Sequence, residues 1–373
     1  MRSSKRGKQP WVVVVTGASA GVGRAIVREL ARRGAAIGLL ARGEDGLEGA
    51  AIDAAEAGAN ALALPTDVAD AAQVEAAAAA VEEQLGPIDV WINNAMATVM
   101  APVKDLEVED LRRVTDVTYH GTVYGTLAAL RRMLPRDRGT IVQVGSALAY
   151  RSIPLQAAYC AAKHAVVGFT DSLRSELIHD RSRVRLCAVH LPALNTPQFT
   201  WSKTTLGHEP QPLGKIFQPE VAARAIVHAA RHPRREYWLG MPTVTAILGQ
   251  RLSPAAGDWY LARNAVEGQQ SDEPIDTRRQ DNLYAPVPGD HGAHGPFDDR
   301  ARERSWQWWV ARNGGWLLAA AAVGIAGAAG AAALARRPRR RRRPFLTAEE
   351  VVHRPVPAAH SNSRTSPARS STR

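Results

Sequence analysis

Hydrophobic and polar positions alternate on two length scales between residues 11 and 240. Short apolar runs recur at Val12–Val15, Ala36–Ala41, Ala61–Pro65, Ile88–Ile92, Thr140–Gly145, Val184–His190 and Glu236–Gly240. Longer stretches with helical periodicity lie between them, among them Gly21–Arg33, Ala71–Leu85, Tyr159–His179 and Pro219–Arg231. Unbroken apolar runs of strand length suit strands that are covered on both faces. Strands alternating with helices predict an α/β fold: a Rossmann-type doubly wound parallel sheet of about seven strands. The pattern weakens after Gly240. Ala246–Leu261 reads as one or two helices broken by Pro254 and Gly257, which places the end of the domain near residue 265. Residues 266–300 are rich in Asp, Pro, Gly and His without periodicity and read as a linker or irregular flap, the linker being taken over 266–312.

Composition narrows the class. With 45% hydrophobic and 22% charged residues the chain is globular rather than disordered. Cys160 and Cys187 cannot build a disulfide framework or a four-cysteine zinc site, and no metal centre is expected. The net charge of +11 invites a nucleic-acid or membrane reading, but it is not spread along the chain. The N-terminal arm, residues 1–10, carries +4 and residues 336–373 carry +9, so residues 11–335 sum to −2. Arguments from basicity therefore apply to the two ends alone.

The first apolar run ends in Thr16-Gly17-Ala18-Ser19-Ala20-Gly21-Val22-Gly23, followed by a helical pattern. Glycines there let the backbone approach a pyrophosphate seated at a helix N-terminus. Ser19 and Val22 belong to the same loop. The second run ends at Ala41-Arg42, where a carboxylate would accept the ribose hydroxyls of NAD(H). Arg42 points instead to the 2′-phosphate of NADP(H); a solvated surface arginine is the competing reading. Asp67-Val68 after the third run suits the adenine, and Asn94-Ala95 closes the fourth run beside the dinucleotide.

Together with Asn93, Ser146 and Tyr159-Cys160-Ala161-Ala162-Lys163, these motifs resemble the short-chain dehydrogenase/reductase family over about residues 11–240. The resemblance implies hydride transfer between an alcohol/carbonyl pair and a nicotinamide cofactor. Tyr159 would be the general acid/base, with Lys163 and Ser146 assisting. The i, i+4 spacing puts Tyr159 and Lys163 on one helix face, where a cation favours the phenolate. Family members carry an Asn where Thr118 stands in Val117-Thr118-Tyr119-His120-Gly121, so Thr118 is the expected fourth catalytic residue, with a shorter reach towards a relay water. His120 could compensate, although a satisfied helix histidine is the stronger reading. Met96 replaces the family's Gly and Ala193 the Gly after Pro192, while Thr196 in Pro192–Pro197 is placed to meet the cofactor. Phe199, Trp201, Leu206 and Phe217, with Met96, Leu148 and Tyr150, suggest a pocket for a small apolar alcohol or carbonyl; core packing is the equal alternative. Homo-oligomerisation is a further expectation from the family.

Residues 313–335 read as a membrane-associated hydrophobic helix. Trp316–Ala335 is 20 uncharged residues, about 30 Å as a helix, near a cluster of Trp. Ala and Gly dominate it, so insertion is energetically marginal and a solvated Ala-rich helix competes. The Arg run at 336–343 opens a disordered Arg-rich tail, 336–373, suited to an anionic membrane surface. By the charge rule those arginines would face the cytoplasm, yet the catalytic domain needs its cofactor there. The expectation is a cytoplasmic domain associated with membrane through 316–343, whether the segment spans, lies in the interface or returns. Nucleic acid is disfavoured because no aromatics interleave the arginines. A catalytically weak nucleotide-binding scaffold anchored by this tail is the alternative function.

Overall fold

The computed structural model describes residues 10–276 and 278–313. The arm at 1–9 and the expected helix and tail from 314 onwards lie outside the described residues. None of the described helices is long and apolar enough to cross a membrane.

Seven strands form one parallel sheet: β1 (Val12–Thr16), β2 (Ala36–Ala41), β3 (Ala61–Pro65), β4 (Val90–Asn93), β5 (Thr140–Ser146), β6 (Arg185–Leu191) and β7 (Glu236–Trp238). Their spatial order is β7-β6-β5-β4-β1-β2-β3. The order reverses between β1 and β4, and that switch point opens a crevice at the carboxyl ends of the strands. β1 is buried at every position, as its unbroken valine run requires.

Helices α1 (Gly21–Ala31), α2 (Glu44–Glu56), α3 (Ala71–Leu85), α4 (Val108–Thr115), α5 (Gly121–Met133), α6 (Ala157–His179) and α7 (Pro219–Arg231) supply the crossovers. α1, α2 and α7 pack one face of the sheet through residues such as Ile26, Leu47 and Ile226. α3, α5 and α6 pack the other through Val81, Met133 and Leu173. Asp70 caps α3, its carboxylate accepting from the Ala72 and Gln73 amides.

Two expectations change. The segment after β7 forms α8 (Gly240–Leu252) and α9 (Pro254–Asn264). The expected break falls at Pro254, which opens the second helix because the first helical turn needs no donor there, whereas Gly257 is accommodated within that helix. Residues 266–312 pack onto the domain instead of standing off from it as a linker, and 306–313 are helical. Gln270–Pro274 pairs antiparallel with His208–Pro210, Leu283 is fully buried, and Trp308 joins the core beside α7. The Trp308 ring lies edge-on to Tyr237 and His228, with centroids 5.5 Å away in each case. Isolated apolar residues among prolines and glycines carry no periodicity, so sequence pattern could not register this packing. Of the tryptophans expected at a membrane interface, Trp306 and Trp309 are exposed and Trp308 is not. Trp308→Ala should lower unfolding stability by about 3–5 kcal/mol, read from urea denaturation by circular dichroism.

Candidate active site

The crevice is shaped first by two glycines. Gly17 leaves β1 with φ +64, a left-handed conformation, and a Cβ there would come within 2.9 Å of the Ala95 Cα. A Cβ on Gly23 would lie 1.8 Å from the Gly17 carbonyl oxygen, so α1 can start this close to β1 only without one. Asn94 holds the loop in place: its Nδ2 donates to the carbonyls of Thr16 (2.9 Å) and Gly17 (3.3 Å). Thr16 Oγ1 accepts from the Asn94 and Ala95 amides at 2.9 and 3.0 Å. No side chain caps the N-terminus of α1. Its first amides face the crevice, the arrangement that receives phosphate.

One cavity of about 860 Å³ runs from Arg42 to α9. Gly17, Ser19, Gly21, Val22, Arg42, Asp67, Val68, Asn94, Ala95, Pro192 and Thr196 line it, as do Ser146, Tyr159 and Lys163. Gly23 lies behind the wall and acts by its lack of a side chain. Thus the expected cofactor and catalytic residues converge on one space, with Thr118 as the exception. The glycine cradle, the start of α1 and the adjacent arginines fit a nicotinamide dinucleotide.

Ser146 ends β5, and its Oγ accepts from the Leu148 amide at 3.1 Å, leaving its O–H to donate into the cavity. Tyr159 and Lys163 rise from the first turns of α6. The Lys163 ammonium is 5.7 Å from the Tyr159 ring centroid and donates to the Val144 carbonyl at 2.8 Å. Burial pushes the Tyr159 phenol above its ordinary value, and the Ser146 hydroxyl offsets part of that rise. Burial, rather than Lys163, sets the direction of the Tyr159 shift. Burial lowers Lys163 to about 8, because a buried ammonium has lost its hydration.

Thr118 does not reach the cavity. It is fully buried in a π-helical turn, Asp116–His120, between α4 and α5. Its Oγ1 donates to the Ala97 carbonyl at 3.1 Å and accepts from the Ala97 amide at 3.0 Å. Both functions of the hydroxyl are consumed, so its side chain ties the turn to the loop after β4 instead of serving a relay water. His120 likewise offers no compensation: it pairs with Asp116 at 2.9 Å on its own helix.

Asp67 accepts from Arg113 Nη2 at 2.6 Å. Arg42 is turned towards residues 282–284: Nη1 donates to the carbonyls of Leu283 (3.2 Å) and Tyr284 (3.0 Å), and Nη2 to that of Asn282. On the substrate side Met96, Leu148, Phe199 and Trp201 line the cavity as expected. Leu206 and Phe217 are core residues instead. Tyr150 turns away, donating to Glu236 at 2.7 Å beside His190. Pattern reading missed Leu252 of α8 and Tyr260 of α9, which complete the apolar wall. Cys160 is buried, and burial raises its thiol, as an inert packing residue requires.

The family model described as short chain dehydrogenase matches residues 11–205, just over half of the chain. This chain belongs to the short-chain dehydrogenase family. Similar proteins include the uncharacterized oxidoreductase YxnA of Bacillus subtilis, 30% identical over 297 residues, which span 79% of this chain and 82% of that one. Human dehydrogenase/reductase SDR family member 7 is 38% identical over 44% of this chain and 50% of its own. The 2-(S)-hydroxypropyl-CoM dehydrogenase 3 of Xanthobacter autotrophicus is 34% identical over 60% of this chain and 82% of its own. This short-chain dehydrogenase is therefore an oxidoreductase of the alcohol/carbonyl type that uses a nicotinamide nucleotide.

Two outcomes follow from the geometry. Thr118→Val leaves the Ala97 amide and carbonyl unpaired in a buried turn and should cost about 1–3 kcal/mol in chemical denaturation. Because Lys163 titrates near 8 when folded against 10.5 in the reference state, the unfolded chain binds more protons between those values. Wild-type stability should therefore rise relative to Lys163→Met as pH increases from about 8 to 10.5, by on the order of 3 kcal/mol, followed by urea titration at each pH.

Proposed function

We propose that this dehydrogenase interconverts an alcohol and a carbonyl with NADP(H), using Tyr159 as general acid/base supported by Lys163 and Ser146. The observation that carries this reading is the meeting of Ser146, Tyr159 and Lys163 with the glycine loop in one cavity. When bound, the nicotinamide supplies or accepts the hydride. Ser146 donates to the substrate oxygen and fixes it beside Tyr159. Tyr159, held neutral by burial, gives its proton to the developing alkoxide during reduction, leaving the phenolate; in oxidation the phenolate takes that proton from the alcohol. Lys163 is the nearby cation that favours the phenolate as the proton leaves.

The preference for NADP(H) over NAD(H) is supported by charge. Arg42 feels the charges of Arg113 and of Asp67, which is itself paired with Arg113; burial and then Arg113 hold Arg42 below its ordinary value. A 2′-phosphate would supply the missing negative charge, with NAD(H) the weaker ligand. Met96, Phe199, Trp201, Leu252 and Tyr260 support a small apolar substrate. Association with an anionic membrane through residues 316–343 is part of the proposal and rests on the sequence.

Tyr159→Phe should reduce carbonyl-dependent NADPH oxidation, screened across a panel of apolar ketones and aldehydes, by at least about a hundredfold. Undiminished turnover would remove Tyr159 from the mechanism. Arg42→Asp should shift the ratio of NADPH to NADH affinity towards NADH in fluorescence titrations, and an unchanged ratio would remove the Arg42 assignment.

A further inference from the structure

Residues 282–292 cross the cavity from end to end, and every side of the crossing is tied. The strap begins beside the substrate wall, where the Asn282 amide donates to the Trp201 carbonyl at 3.0 Å. Leu283 is buried among apolar residues of the α3–α5 face, and its carbonyl accepts from Arg42 and from Arg113 Nε (3.1 Å). Farther on, the Gly289 amide donates to Asp45 Oδ2 at 2.6 Å in the first turn of α2. Asp290 meets Arg24 of α1 through two bonds of 2.9 and 3.1 Å. Arg24 is buried and also held by Asp53, so its charge stays partnered if Asp290 leaves. The strap then returns across the glycine loop, where the Gly292 carbonyl accepts from the Gly21 amide at 2.9 Å. His291 packs edge-on to Trp201 at 4.6 Å between centroids.

Some of these contacts sit on donors that a dinucleotide would approach: the Gly21 amide and Arg42. With the strap in place the large cavity persists beneath it, and Asn282, Pro286 and His291 form part of its lining. We propose that residues 282–292 are a working part of the cofactor site, a cover over its adenosine and pyrophosphate half, latched by Asp290 on Arg24 and by Asp45 on Gly289. A nucleotide held below the strap leaves only when these latches open, so they set its residence time. This inference rests on the dinucleotide reading of the cavity.

The test uses the full chain and NADPH itself as the probe. Stopped-flow displacement should show NADPH leaving Asp290→Ala about tenfold faster than wild type, the loss expected for a charge-assisted pair partly open to solvent. Asp45→Ala, at an exposed position with an independent contact, should accelerate release in the same direction and serves if Asp290→Ala folds poorly. NADPH should also slow chymotryptic cleavage after the exposed Tyr284. NADPH binding with release unchanged in the folded variants, or cleavage indifferent to NADPH, overturns the cover while leaving the dinucleotide reading intact. Failure of NADPH and NADH alike to bind wild type and both variants overturns that reading and the cover with it.

Discussion

Asn94 grips the end of β1. By donating to the Thr16 and Gly17 carbonyls while Thr16 receives the Asn94 and Ala95 amides, it joins the two loops on either side of the switch point. That clasp sets where Gly17 turns and hence where α1 begins. It also fixes the loop after β4, which Thr118 ties to the turn between α4 and α5 through Ala97. The bonds are partly buried, so the Thr16 side of the clasp has little water to fall back on. Adjacent in sequence, Asn93 does different work: it is buried among Trp91, Thr126 and Gln143 and bonds to all three.

Tyr159 and Lys163 sit in an unfavourable environment for their charges. Burial alone pushes Tyr159 towards the neutral phenol and Lys163 towards the neutral amine. The resting protein therefore holds a proton on the phenol, and a change of charge next to the pair must act against desolvation rather than with it. A short distance behind, the same physics has the opposite outcome: hydrogen bonds from His190 and Tyr150 hold Glu236 ionised, down to about 2, despite its partial burial. Partners, rather than depth, separate the two cases.

The sheet was legible because each strand is a buried apolar run bounded by turn residues, and Ser146, Tyr159 and Lys163 were legible because spacing on a strand end and a helix face is a local property. Gly17 and Gly23 were legible for the same reason. Thr118 was placed correctly but given the wrong work, since its partner Ala97 lies 21 residues away and no periodicity reports a side-chain bond to a backbone. The strap was open to reading as a linker or a flap, and its contacts escaped. Its contacts with Arg42 and Arg24 join residues separated by 240 positions or more, and its Pro, Gly and Asp content is what a spacer would also have. Arg42 shows the consequence: the identity of the residue was readable, while the carbonyls facing it were not.

Chain order gives the strap a temporal meaning. The matched family region ends at residue 205, and Arg42, the glycine loop, Tyr159 and Lys163 all precede that point. During synthesis at about 5–20 residues per second, the segment that crosses them leaves the ribosome several seconds after the last of them. The nascent enzyme thus passes through an interval in which the crevice has its floor but no roof.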